Sequence, residues 1–285
     1  MSVITEAYPV IGDEPWNPNE PFNLFREGRS GTSCTPVNTL TNVQVTSARS
    51  DFPVEYALNA HPNQVCRAES GVTSVIYTGT LAKGTDTLFL FNTNAESIKI
   101  FTTDFAFGEW RNDSWRGGDA WREHISNGIP FEVVDSGRNK AVGLRFPPLL
   151  TSKKLMIKMS TPTGLDVELG ILWAGPSISS HNFIFGLQGS HKDYGIFEEL
   201  SNGADYYSPR NIVKTFAGSI LDDPKFIRTI FNEVSGKKGK LPIPWFITDL
   251  ECEDWLVFAR LTNSATTSYD YDNLHNLQLS IIEVI

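Results

Sequence analysis

A chain of 285 residues with 40% hydrophobic and 20% charged residues has the composition of an ordinary globular protein and the length for two domains. Its formal net charge of −9 argues against a nucleic-acid surface, which needs clustered Lys and Arg, and no run reaches the roughly 18 apolar residues that span a bilayer. Aromatics at 12%, among them 18 Phe and 7 Trp, favour β-rich packing over a helical bundle.

Residues 1–40 are rich in Pro, Asn, Gly and Ser, as in Pro15-Trp-Asn-Pro-Asn-Glu-Pro21, and read as an extended N-terminal arm. Trp16, Phe22, Leu24 and Phe25 give it apolar residues to lay on its own chain or on a neighbouring subunit. The first residues carry neither a basic region nor a long apolar stretch, so no secretory signal is expected and the chain is expected to start in a cytoplasm.

From residue 41 the pattern becomes short β-favouring runs between turn residues. Strands are predicted over 41–47, 73–80, 86–92, 96–102, 131–136, 141–146, 153–160 and 166–174. Leu88 to Phe91 is an apolar run of four, suited to a strand buried on both faces, and it breaks at a polar turn, Asn92 to Asn94. The stretch ending Trp173-Ala-Gly175 repeats that texture about 70 residues later, so segments distant in sequence are expected to share one core. The pattern predicts a jelly-roll or β-sandwich domain over 41–176.

Gly175-Pro-Ser-Ile-Ser-Ser180 reads as a boundary, and residues 177–285 as a second β-rich domain with one packed helix. The helix is predicted near 224–235. Asp223 is the N-cap, Pro224 the first helical residue and Gly236 the stop, with Phe226, Ile230 and Val234 on one face beside Ile227 and Phe231. Strands are predicted over 181–189, 210–219, 242–248, 254–262 and 275–284, the last alternating cleanly through Leu277-Gln-Leu-Ser-Ile281.

Motifs that carry chemistry are sparse. His61, His124, His181, His191 and His275 have no metal-ligand spacing, and Cys34, Cys66 and Cys252 are too few and too scattered for a disulfide framework or a CxxC pair. Free thiols are the expectation, with no cofactor, no metal and no catalytic residue. Asp249, Glu251, Glu253 and Asp254 hold the only dense carboxylate cluster; alternating acids at a strand start read as a wet face rather than as an acid–base pair. Lys237-Lys-Gly-Lys240 is the one tight basic cluster and reads as a solvated turn.

Phe107 to His124 stands apart, a Gly-rich loop carrying Trp110-Arg111, Trp115-Arg116 and Trp121-Arg122. Trp offers a flat apolar face, and Arg stacks on it or forks toward carboxylates and hydroxyls. Three roles fit: capping the open end of the sandwich, anchoring a protein interface, or lining a sugar site. Glu109, Asp113 and Asp119 match no EF-hand spacing.

Tyr56-Ala-Leu-Asn-Ala-His-Pro-Asn-Gln-Val-Cys-Arg67, Asp86-Thr-Leu-Phe-Leu-Phe-Asn-Thr-Asn-Ala95, Leu144-Arg-Phe146 and Gly170-Ile-Leu-Trp-Ala-Gly175 together resemble a region of tail-associated structural proteins of tailed bacteriophages. Those proteins carry a discoidin-like (galactose-binding-like) jelly roll. The resemblance covers about 41–176, and the second half is similar in texture to the second domains of such proteins. It implies a virion component in a ring or at a tail or baseplate junction, made in the host cytoplasm and assembling with copies of itself and other tail proteins. It carries over no catalytic residue, and the Trp–Arg loop lies outside the resembling pattern. A carbohydrate-binding module that recognises a cell-surface glycan through 107–124 is the alternative reading.

Overall fold

The computed structural model describes residues 32–61, 63–103, 108–111, 114–117, 121–123, 140–145, 148–162, 164–180, 185–199, 205–208, 212–222, 224–247, 256–262, 266–271 and 274–284. Strands are numbered in chain order, and every strand pair in it is antiparallel. An outer sheet is built from β2 (Thr41–Val45), β4 (Ser74–Leu81), β6 (Ser97–Thr103), β9 (Trp121–Glu123) and β11 (Lys153–Ser160), in the order β2-β4-β11-β6-β9. Facing it is a middle sheet of β3 (Cys66–Arg67), β5 (Thr87–Thr93), β10 (Lys140–Arg145) and β12 (Glu168–Gly175), in the order β10-β5-β12-β3. The expected pairing of distant segments is present: Leu90 lies opposite Leu172, Phe89 opposite Trp173, and Ile100 opposite Ile157.

Strand β5 alternates between two cores, which is why its apolar run has no polar break. Leu88 and Leu90 pack with Val142, Leu172 and Ala174 against Ile98, Ile100, Leu155 and Ile157 of the outer sheet. Phe89 and Phe91 point the other way with Trp173, onto a third sheet. That sheet has β1 (Ser33–Cys34), β13 (Ile178–Ser179), β14 (Phe185–Asp193), β17 (Ile212–Asp222), β18 (Ile243–Phe246), β19 (Leu256–Leu261) and β21 (Leu274–Glu283), in the order β13-β1-β18-β19-β21-β17-β14, with β20 (Thr266–Tyr271) also pairing β21. Rings interlock across the second core: Phe89 to Phe246 at 4.9 Å between centroids, Phe91 to Phe258 at 5.5 Å and Trp173 to Phe258 at 5.9 Å.

The opposite face of the third sheet carries Leu277, Leu279 and Ile281, buried in the alternation the sequence predicts, with Gln278 exposed between them. Ile227, Ile230 and Val234 of the packed helix join that cluster. The helix is α-helical over Pro224–Ile230 (α2) and then widens into a π-helical turn over Phe231–Gly236. The chain is thus mainly β, a sandwich followed by a β-rich half with one packed helix. A four-residue helix, Glu55–Leu58 (α1), sits beside β12.

Several local expectations need correcting. Asn92 does not end its strand: it is a bulge with φ of 54°, where β10 slips one residue and β5 continues to Thr93. The helix buries Ile227, Ile230 and Val234, while Phe231, at the edge of that face, is 38% exposed. The helix ends at Gly236 as expected, and the left-handed glycine follows at Gly239, with φ of 58°, whose N–H donates to the Val234 carbonyl at 2.8 Å. Asp223, the side chain of Phe226 and the strand expected over 131–136 lie outside the described residues.

The described part of the expected arm, residues 32–40, is woven into the body. Strand β1 fills the gap between β13 and β18. Residues 35–40 then run along the edge of β12 that β3 leaves uncovered. There the Asn38 amide donates to the Leu172 carbonyl at 3.0 Å and its Oδ1 accepts from Ala174 N at 3.1 Å, while Thr39 N donates to the Ala174 carbonyl at 2.7 Å. The Trp173 indole N–H donates to the Thr35 carbonyl at 3.1 Å. The segment between Gly175 and Ser180 is pinned too: Asp86 accepts from Ser177 N at 2.6 Å and from its hydroxyl at 2.9 Å.

Candidate functional site: the Trp–Arg segment

The segment expected to be a loop between 107 and 124 contains three strands. Gly108–Arg111 (β7) and Ser114–Gly117 (β8) form a ribbon that pairs with no other described strand, and β9 is the last strand of the outer sheet. The register sets Trp110 opposite Trp115, Glu109 opposite Arg116 and Arg111 opposite Ser114. Cross-strand partners share a face and neighbours along a strand alternate. Trp110 and Trp115 therefore occupy one face, and Glu109, Arg111 and Arg116 the other. The register thus places the two Trp of the ribbon on one face and its two Arg on the other.

Trp121 and Arg122 are parted in the same way. Trp121 lies opposite Thr103, in the row of Lys154, and Arg122 opposite Thr102, in the row of Leu155. Leu155 is buried in the sandwich, so position 122 is on the core-facing side of the sheet and position 121 on the outer side. The structure thus brings Trp110 with Trp115, and Arg111 with Arg116, and sets Trp121 and Arg122 on another sheet. Glu109 stands in the ribbon, while Asp113 and Asp119 lie outside the described residues.

Elsewhere the described residues offer little reactive chemistry. They contain no group of three or more His, Cys, Asp or Glu placed to hold a metal ion. Burial pushes the Cys34 thiol far above its usual value, and raises Cys66 as well, against a lowering hydrogen bond with Tyr77. Both thiols are free, buried and protonated, hence inert as nucleophiles. His61 and His191 are exposed; His275 is buried opposite Asp222, whose carboxylate accepts from the Ser180 hydroxyl at 2.6 Å, a tie between strand ends. Cys252, His124, His181 and the carboxylates 249–254 lie outside the described residues. No described helix is long and apolar enough to cross a membrane.

Two features escaped sequence reading. Arg49 and Arg67 stack on Phe52 at 5.1 and 4.5 Å, with Arg67 also paired to Glu168 at 2.7 Å; nothing in a single sequence joins residues so spaced. The other is a β ribbon beyond the third sheet, Ile196–Glu199 (β15) paired with Asp205–Ser208 (β16). Its signal was present in Ser201-Asn-Gly203, a turn-forming run between short segments carrying Ile196, Phe197, Tyr206 and Tyr207.

No protein-family model matches the chain, and no curated protein matches it. Among solved structures it is similar to XRCC1 as seen in the X-ray crystal structure of reduced XRCC1 bound to the DNA polymerase β catalytic domain, at 15% identity and a TM-score of 0.35, over 49% of this chain and 97% of that one.

Proposed function

We propose that this protein is a structural or adaptor component of a phage virion, in the tail, baseplate or connector region, and that it works by protein–protein assembly rather than by catalysis. The observation that carries the reading is the β7–β8 ribbon, which pairs with no third described strand and sets two Trp on one face and two Arg on the other. Trp and Arg dominate binding hot spots, and a two-stranded ribbon in water is marginal without a surface to lie on. The phage assignment rests on the resemblance of the segments around Tyr56, Asp86, Leu144 and Gly170 to tail proteins. In the structure these segments contribute β3, β5, β10 and β12 of the middle sheet, with the short helix α1 beside it. Partners on this reading are copies of the chain and other tail proteins, and its place is the virion.

The test is pull-down of purified tail proteins with wild type and with a Trp110→Ala/Trp115→Ala double variant. Capture by wild type that falls about tenfold or more in the variant is expected; a wild type that captures no virion protein overturns the reading. The second reading, a carbohydrate-binding module, is favoured by the same register, since Trp opposite Trp is a residue pair suited to stacking on a sugar ring. A glycan array with Trp115→Ala as control separates the two.

A further inference from the structure

The packed helix and the turn after it carry a sign of charge opposite to that of the chain. Residues 224–240 hold Lys225, Arg228, Lys237, Lys238 and Lys240 against one acid, Glu233, in a chain of net charge −9. Glu233 pairs with Lys237 at 2.6 Å, which leaves Lys225, Arg228, Lys238 and Lys240 with no acid partner among the described residues. Lys225, Arg228 and Asn232 line a shallow groove of about 590 Å³ on the side of the helix away from the buried Ile227, Ile230 and Val234. Phe231, 38% exposed, and Leu241, 58% exposed, put apolar surface among these cations. The π-helical turn runs along the same groove, and such turns recur at functional sites. Apolar side chains within a charged rim have the anatomy of a protein interface, while the charge of the whole chain repels a polyanion.

The answering surface is the far end of the sandwich, where residues 46–72, 94–96 and 161–168 meet. Glu69 N donates to the Ser47 hydroxyl at 3.3 Å, Gly71 N to the Asp166 carboxylate at 2.9 Å and Glu96 N to the Ser160 carbonyl at 2.8 Å. These loops hold Asp51, Glu55, Glu69, Glu96, Asp166 and Glu168 against Arg49 and Arg67. Both cations are engaged, Arg49 with Asp51 at 2.9 Å and Arg67 with Glu168 at 2.7 Å. Glu55, Glu69 and Glu96 are exposed and have no cation partner among the described residues. Lys99 and Lys158, on the adjoining strands, lie opposite one another on the outer face of the outer sheet, since Ile98 and Ile100 beside Lys99 point into the core. Leu165, 52% exposed, gives this end an apolar residue as well.

The two patches match in charge and are too far apart to meet within one copy. Six acids against two cations at one, and five cations against one acid at the other, are equal and opposite excesses. The acidic end lies where β12 starts at Glu168 and β5 ends at Thr93. The helix packs beside β13, past the Gly175 end of β12, and Asp222 just ahead of it is tied to Ser180 at 2.6 Å. Strand β12 alone puts about 24 Å between them. Complementary patches at opposite ends suit head-to-tail contact between copies, in which each copy uses two different surfaces.

We infer that the basic helix face of one copy docks the acidic end of the sandwich, around Glu55, Glu69 and Glu96, of the next copy. The choice of a second copy as occupant rests on the assembly reading above. The test is sedimentation equilibrium of the full chain in the micromolar range at low and high salt, with two charge-reversed variants: Glu55→Lys/Glu69→Lys/Glu96→Lys, and Lys225→Glu/Arg228→Glu/Lys240→Glu. Wild type should self-associate and weaken with salt, each variant alone should associate about tenfold or more weakly, and an equimolar mixture of the two should recover hetero-association. Both variants should keep the thermal transition of wild type, because the altered side chains are exposed. A control, Lys83→Glu/Lys154→Glu, changes charge elsewhere on the sandwich and should associate like wild type. Wild type that captures tail proteins yet stays monomeric overturns the contact and leaves the assembly reading standing. Self-association unchanged in both charge variants, a mixture that stays apart, or a monomer that binds duplex DNA through the helix face overturns it as well.

Discussion

At Gly175 the backbone of β12 passes so close to Val37 that a Cβ would fall inside the Val37 carbonyl oxygen, and backbone, unlike a side-chain tip, does not give way. At Gly143 a Cβ would lie 2.7 Å from the ring of Phe246, a side-chain contact rather than a backbone one. Gly175→Ala should therefore cost more than Gly143→Ala, about 3 against about 1.5 kcal/mol, in urea unfolding. Equal midpoints for the two variants would deny the close approach of residues 35–40 to β12. Asn94 is a second single-residue support: its amide donates to the Asp166 carbonyl and its Oδ1 accepts from Glu168 N, both at 2.8 Å. Asn94→Ala should cost about 2 kcal/mol, since two part-buried backbone groups lose their partner. The buried thiols and Tyr77 set the pH response. All three have raised values in the folded chain, so above the usual thiol value of 9.0 the unfolded chain binds fewer protons than the folded one. Their contribution is fully present at neutral pH and is lost as pH rises. The melting temperature should hold steady near neutrality and fall above about pH 9, less steeply in Cys34→Ala; a flat alkaline profile in wild type would contradict the burial of these groups.

At the scale of elements, the helix shows where periodicity succeeds and where it stops. Pro224 opens it, and Ile227, Ile230 and Val234 form its buried face. The switch to π geometry at Phe231 is a property of hydrogen bonding that hydrophobic spacing does not encode. Ile230→Ala should destabilise by about 2–4 kcal/mol, whereas Phe231→Ala should change stability by less than about 0.5 kcal/mol. Comparable losses would restore an α-helical face containing Phe231. The long strands were legible because burial on one or two faces writes period 2 or an apolar run into the chain. Strand β1, with two residues, has no period to read, and its Pro- and Ser-rich surroundings resemble a free arm. The Trp–Arg segment was legible as a candidate by composition alone. Its Gly content concealed the strands, and only the register shows that each Trp and its neighbouring Arg face opposite ways.

At the scale of the molecule, the middle sheet joins everything: it buries one face in the sandwich and the other against the third sheet, and residues 32–40 stitch the two together. Two ribbons, β7–β8 and β15–β16, stand apart from these three sheets, with no third described strand paired to either. Strand pairs of this kind suit repeated contacts in a symmetric assembly, where each contact is weak alone and the array is stable. The most direct measurement of that claim is sedimentation velocity of the intact protein across a wide concentration range, alone and mixed with purified tail proteins. Species heavier than the monomer that shift with concentration and incorporate tail proteins are expected. A single monomer boundary under every condition would contradict it.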